Sequence, residues 1–275
     1  MSNEERVFLA DLKKYSSLEK TIRNNLRRVR ERKPKSINLS FTHKWNGRDT
    51  EYSLENLMLP ESVYAKGKYI PRLGKDMCVA ICGTLSPSYH GFRLAERIAC
   101  RMASLGYTIV SGGVPGIDTA AHMGALGHEK GSTIAVIPNP VKFGLEKNIY
   151  SSRLLTSLII ERGCLISENT RYATVAGKTF NERLLERDRI IAGLSDVLII
   201  VESSENSASV DTAKRAWLQG KTILAVKWDD RVGLRHEPKI SGNVQLLACN
   251  IATPIERNDL ANLETILERL RVQKD

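Results

Sequence analysis

No apolar run in this chain approaches the ~18 residues that a membrane-spanning helix needs. The first residues, Met1-Ser2-Asn3-Glu4-Glu5-Arg6, are polar and lack the apolar core of a secretory signal. Cysteine is sparse: five residues, scattered, with no CxxC pair and no His/Cys cluster of zinc spacing. That argues against a disulfide framework and against a structural zinc site. Buried, reduced thiols in a cytoplasmic protein are the expectation. The full GxGxxG fingerprint of a dinucleotide site is also missing. No metal, cofactor or catalytic step is expected.

The 275 residues suffice for one large domain with an appendage. Hydrophobic residues make up 42% and charged residues 26%, the ordinary range for a chain that buries a full core. The net charge is +10, unevenly spread. Residues 1–75 hold 17 Lys/Arg against 9 Asp/Glu; residues 76–275 hold 24 against 22. A concentrated basic segment suits a polyanion, because neutralised phosphates release counterions. A solvated basic helix that improves solubility is the plainer alternative.

The spacing of Leu9, Leu12, Leu18, Ile22, Leu26 and Val29 predicts a helix over 5–33, stopped by Pro34. Its second half carries Arg23, Arg27, Arg28 and Arg30. Ser36–Phe41 alternates like a strand, and Asn46-Gly47 signals a hairpin that runs to Ser53. Residues 1–58 thus form a basic helical arm with a hairpin, and 59–275 form the main domain.

From Asp76 the pattern changes to strands alternating with helices. Strands are predicted at Met77–Cys82, Thr108–Val110, Thr133–Ile137, Cys164–Ile166, Val197–Val201 and Thr222–Val226. Helices intervene, and a last one spans about Asn258–Arg271. Strands this apolar are buried on both faces, which implies an α/β, doubly wound, mostly parallel Rossmann-like sheet. Such sheets bind ligands at the carboxyl ends of their strands.

The strand ends are accordingly the candidate site. The first strand is followed by Gly83, Thr84 and Ser86; Gly83 permits close backbone approach. The second leads into Ser111-Gly112-Gly113-Val114-Pro115-Gly116-Ile117-Asp118, whose glycines bare backbone amides at a helix start, an anion cradle. Asp118 either caps that helix or contacts a ligand hydroxyl. His122, one turn on, reads as a satisfied core histidine. Glu168 and Glu202 close the fourth and fifth strands as an acidic pocket. Ser207, Ser209 and Thr212 either cap the next helix or make a second anion contact. Arg187 and Arg189, two apart, cannot share a helix face, so one is expected to serve the cleft while the other pairs with an acid.

In this order the motifs resemble the DNA-processing protein A family (DprA, also called Smf). The residues that carry the resemblance are Gly83-Thr84-Leu85, Ser111 to His122, Gly131 to Val136, Gly163 to Glu168, Arg187 to Ser195 and Ser207 to Ala213. The resemblance covers about two thirds of the chain. It implies an extended Rossmann-type domain, commonly dimeric. It also implies binding of single-stranded DNA and delivery of that strand to a RecA-type recombinase during natural transformation. The sequence departs from the family pattern at Leu85 (an Arg there), Asp188 (an Asn), Ala208 (a Gly) and Tyr150-Ser151 (Tyr-Pro).

Two functions follow. In the first, the glycine-turn amides, Lys178, Arg187, Arg189 and the basic helix hold the phosphates of single-stranded DNA in recombination. In the second, the same pocket holds a small nucleotide for sensing. Hydrolysis is disfavoured because the Pro-Gly-Gly-x-Gly-Thr signature is absent. The terminal helices carry apolar stripes suited to a homodimer.

Overall fold

In a computed structural model, residues 5–9, 15–31, 42–45, 48–141, 153–169, 180–228, 237–256 and 260–272 are described. In chain order the elements begin with strand β1 (Glu5–Phe8), helix α1 (Leu18–Glu31), strands β2 (Thr42–Trp45) and β3 (Arg48–Glu51), and the single turn α2 (Leu54–Leu57). Then come β4 (Ser62–Gly67), β5 (Cys78–Cys82), α3 (Tyr89–Ser104), β6 (Thr108–Gly112), α4 (Ile117–Gly127) and β7 (Thr133–Val136). The chain continues through α5 (Arg153–Arg162), β8 (Cys164–Ser167), α6 (Phe180–Leu194), β9 (Val197–Ile200), α7 (Ala208–Leu218) and β10 (Thr222–Lys227). It ends with α8 (Glu237–Ala248), β11 (Thr253–Glu256) and α9 (Leu260–Val272).

Nine strands form one sheet in the order β1-β4-β8-β7-β6-β5-β9-β10-β11. From β8 to β11 neighbours run parallel, while β4 is antiparallel to β8 and β1 to β4. The inner strands β5, β6, β7, β8 and β9 are buried at every position. Their side chains alternate between two cores, so both faces demand apolar residues. Ala80, Val110, Ile134 and Leu198 meet α6, α7 and α8 through Ile190, Ala213 and Leu246. Val79, Ile81, Ile109 and Ile199 meet α3, α4 and α9 through Ile98, Ala121 and Leu263. The α/β, mostly parallel Rossmann-like architecture expected from the strand pattern is therefore what the chain forms.

The N-terminal region differs from its local reading. The helix expected over 5–33 begins only at Leu18, and Glu5–Phe8 is a strand. Its hydrogen bonds come from β4, in register Glu5↔Ala65 to Phe8↔Ser62. That partner is far away in sequence, so local periodicity cannot reveal it. Leu18 and Ile22 of α1 pack on Leu57 and Leu218, which adds a third layer outside α7. The hairpin is present as β2 and β3, with Thr42 opposite Glu51; the stretch 36–41 lies outside the described residues. Strand β11 and helix α8 were not anticipated. Pro254 in β11 is tolerated because β11 is an edge strand.

Candidate functional site

The sheet reverses direction of growth between β5 and β9, which are adjacent although sequence runs from β5 outward to β6 first. Such a switch point leaves a crevice at the strands' carboxyl ends. Here the loops after β5, β6 and β9 interlock through their backbones. The Thr84 N–H donates to the Glu202 carbonyl at 2.7 Å, and the Ile117 N–H donates to the Thr84 carbonyl at 3.2 Å. Gly116 caps α4 with φ +85°, and a Cβ there would overlap the Thr84 and Leu85 carbonyls. Only glycine meets both demands. A Cβ at Gly83 would likewise sit 2.6 Å from the Glu202 carbonyl oxygen and the Ile117 side chain.

Beneath the turn lies a buried ionic cluster. Arg187, on α6, places Nη2 3.6 Å from Asp118 Oδ2 and Nη1 3.3 Å from Asp188 Oδ1. All three side chains are buried. A Cβ at Gly112 would overlap both the guanidinium and the Asp118 carboxylate, so glycine is what admits the pair. Burial pushes the Asp118 carboxyl up, against the opposing pull of Arg187 and of hydrogen bonds from Ser111 and the Val114 N–H. The Ser111 hydroxyl has one proton for two acceptors, since the Ile81 carbonyl lies 2.7 Å away. Asp188 is pushed up to about 7, chiefly by burial.

Asp118 thus takes up part of the cradle: the Val114 amide serves its carboxylate, and the Ile117 amide serves Thr84. His122 is buried in the same floor, with Nε2 2.7 Å from the Gly112 carbonyl and Nδ1 2.7 Å from the Thr133 hydroxyl. A carbonyl can only accept, so Nε2 carries the proton; the Thr133 hydroxyl has one proton for two acceptors, Nδ1 and the Ile109 carbonyl 2.9 Å away. Burial lowers the imidazole to about 4. It is the satisfied core histidine that the sequence suggested.

The two acids named as a pocket are separate and engaged. Glu202 accepts from the Ser88 N–H at 2.7 Å and from the Ser88 hydroxyl. Its carboxylate therefore fills the anion position at the start of α3, beside Gly91, where a Cβ would collide with it. Glu168 forms a two-pronged pair with Arg189, at 2.6 and 3.2 Å. Of the two arginines, Arg187 faces the turn and Arg189 serves Glu168.

Ser207 is the α7 N-cap, accepting from the Val210 N–H. Its hydroxyl lies 2.7 Å from Ser203 and 3.2 Å from Ser209, a three-hydroxyl cluster at a helix start. Thr212 turns inward to the Ala208 carbonyl at 2.9 Å and is buried. Gly83, Thr84 and Gly116 are partly exposed and Ser86 is exposed, whereas Ser111, Gly112, Gly113 and Ile117 are buried. Lys178 lies outside the described residues, as does the Arg30 side chain. Arg23, Arg27 and Arg28 are exposed on α1, with Arg23 paired to Glu19.

Sequence reasoning missed one seal of the crevice. Asn243 on α8 donates through Nδ2 toward the carbonyls of Ile200, Val201 and Val226, at 3.2, 2.9 and 3.0 Å. The neighbouring Gly242 N–H donates to the Ser203 carbonyl at 2.8 Å. The stretch Ser241-Gly242-Asn243, a weak extension of the family resemblance, was the available signal.

Fold and site together define a Rossmann-like domain whose loops after β5, β6 and β9 interlock at its topological switch point. The family model for DNA recombination-mediator protein A matches residues 49–268, and the chain belongs to that family. It is 30% identical over 190 residues to the DNA processing protein DprA of Bacillus subtilis, covering 68% of this chain and 59% of that protein. It is 33% identical over 148 residues to the protein Smf of Escherichia coli, covering 54% of this chain and 38% of that one. The chain thus spans less than two thirds of the length of these curated relatives.

Among solved structures, DprA from Streptococcus pneumoniae superposes with a TM-score of 0.61 at 29% identity, over 74% of this chain and 66% of that one. DprA from Helicobacter pylori, described for its single-stranded DNA binding mode, gives 0.62 at 26% identity, over 76% and 88%. Among the described residues no helix is long and apolar enough to cross a membrane.

Proposed function

We propose that this chain binds single-stranded DNA across the carboxyl ends of β5, β6 and β9, and passes it without catalysis to a RecA-type recombinase. The observation that carries the reading is the interlocked crevice of Thr84, Gly116 and Glu202 in a chain of this family. A relative's structure is described for single-stranded DNA binding, and the net charge of +10 suits a polyanion. The buried titratable groups of the floor support a holding role: Arg187 lies between two carboxylates, and His122 is held neutral. The exposed Arg23, Arg27 and Arg28 on α1 are proposed to take further phosphates. The working unit is proposed to be a cytoplasmic homodimer, which light scattering would report as twice the chain mass.

Fluorescence anisotropy with a labelled oligonucleotide, titrated with salt, tests this reading. The expected result is binding whose logarithm falls linearly with log salt. Undetectable or salt-insensitive binding would sink it. Recombinase delivery is read separately, as faster coating of a protein-covered single strand by a RecA-type recombinase. The hydroxyl cluster of Ser203, Ser207 and Ser209 favours a second reading, a mononucleotide phosphate site. Thermal stabilisation by a mononucleotide and none by oligonucleotides would select it.

A further inference from the structure

We propose that the Leu85–Tyr89 ledge is a stacking platform for a base of single-stranded DNA, an assignment that rests on the single-stranded DNA reading above. Tyr89 is 76% exposed and Leu85 54%. The two flank one loop on the rim of the crevice. The Leu85 carbonyl lies against Gly116, so the loop that carries both residues starts on the glycine turn.

The ring is mounted on a fixed base. Tyr89 is the first residue of α3, directly after the N-cap Ser88. Both the N–H and the hydroxyl of Ser88 are held by the buried Glu202 carboxylate. The His90 ring stands at 71° to Tyr89 with centroids 5.8 Å apart, an edge contact rather than a parallel stack. A largely uncovered aromatic on a rigid helix start loses little entropy when a flat partner covers it.

Charge selects the partner. At the third position of this loop Leu85 offers no cation. Arg187 is buried between Asp118 and Asp188, and Arg189 is held by Glu168. The rim therefore presents apolar faces beside the hydroxyls of Thr84 and Ser86, and grips no phosphate through these arginines. A base has a π-face whatever its identity, so such a platform holds single strands with little sequence preference. The phosphates are left to the basic surface elsewhere.

The test compares the full chain with Tyr89→Ala and Tyr89→Phe in anisotropy titrations. The probes are an oligothymidylate and an abasic phosphodiester of equal length. The expected result is that Tyr89→Ala weakens oligothymidylate binding about tenfold and leaves abasic binding unchanged, while Tyr89→Phe behaves as the parent. Thermal unfolding of both variants should match the parent, since the side chain is outside the core. If the parent binds oligothymidylate and Tyr89→Ala binds it equally well, the platform is refuted and the DNA-binding reading stands. If the parent binds neither probe, the DNA-binding reading itself fails and takes the platform with it. Loss of self-association in Tyr89→Ala with unchanged DNA affinity would assign the ledge to a second copy of the chain and overturn the proposal.

Discussion

Two buried residues a few ångströms from the same guanidinium and backbone turn pull stability in opposite directions with pH. His122 is neutral in the fold down to about 4 and takes up a proton on unfolding below about 6.5. Its contribution is complete above 6.5 and is lost as pH falls toward 4. Asp188 keeps its proton in the fold up to about 7, whereas an unfolded aspartate releases it near 4. Its contribution is complete below 4 and is lost as pH rises through 7. The slopes therefore offset each other between roughly pH 4 and 6.5. Asp188→Asn keeps the side-chain shape, leaves Arg187 to Asp118 and removes one slope. Stability of the variant should rise between pH 4 and 6.5, and at pH 8 should exceed the parent by up to about 4 kcal/mol. Urea unfolding at pH 5, 6.5 and 8 measures it; parallel curves for the two proteins would contradict a buried, protonated Asp188. The sequence marked Asp188 as a departure, but the second carboxylate around Arg187 came from α4, and only the fold brings it there.

The start of α3 already contains its anion. Glu202 satisfies the Ser88 donors there, so Glu202→Ala leaves a buried N–H without a partner and should cost about 2 kcal/mol. The emptied position should then accept phosphate: millimolar phosphate should raise the melting temperature of Glu202→Ala more than that of the parent. Equal shifts would show that the carboxylate does not fill an anion position. The elements themselves were largely legible. All six strands from β5 to β10 fall within two residues of their predicted ends, because fully apolar runs between glycine-closed helices have few other readings. Their interlocking was not legible. That Thr84 would bond Glu202, or that Glu202 would reach back to Ser88, depends on β5 and β9 being neighbours, a topological fact that no local pattern contains. Strand β1 was misread for the same reason.

On the scale of the molecule, the basic helix and the glycine turn sit at different ends of the sheet. Thr21 lies against Gly220, and Asn25 donates to the Leu218 carbonyl at 3.1 Å, so α1 covers the carboxyl end of α7. The Ser207 cap at the other end of α7 is about 16 Å away by helix rise. A strand that touches both must cross that span over the outside of the molecule, since α7 itself is buried. Removing the arm is a poor probe of this path, since Leu9, Leu18 and Ile22 are core residues and each contributes about 2 kcal/mol by burial. Charge reversal is cleaner. Arg23, Arg27 and Arg28 changed together to Glu should leave the melting temperature nearly unchanged. The slope of log affinity on log salt should fall by up to about 2. An unchanged slope would take α1 off the path. The position of β4 also sets a clock. Its inner neighbour β8 is translated roughly 100 residues after it, about 5–20 s at ordinary ribosomal speeds. Until then the first strands have only each other to pair with, so the edge of the sheet that starts the chain has to wait for β8, while β6 can already pair with β5.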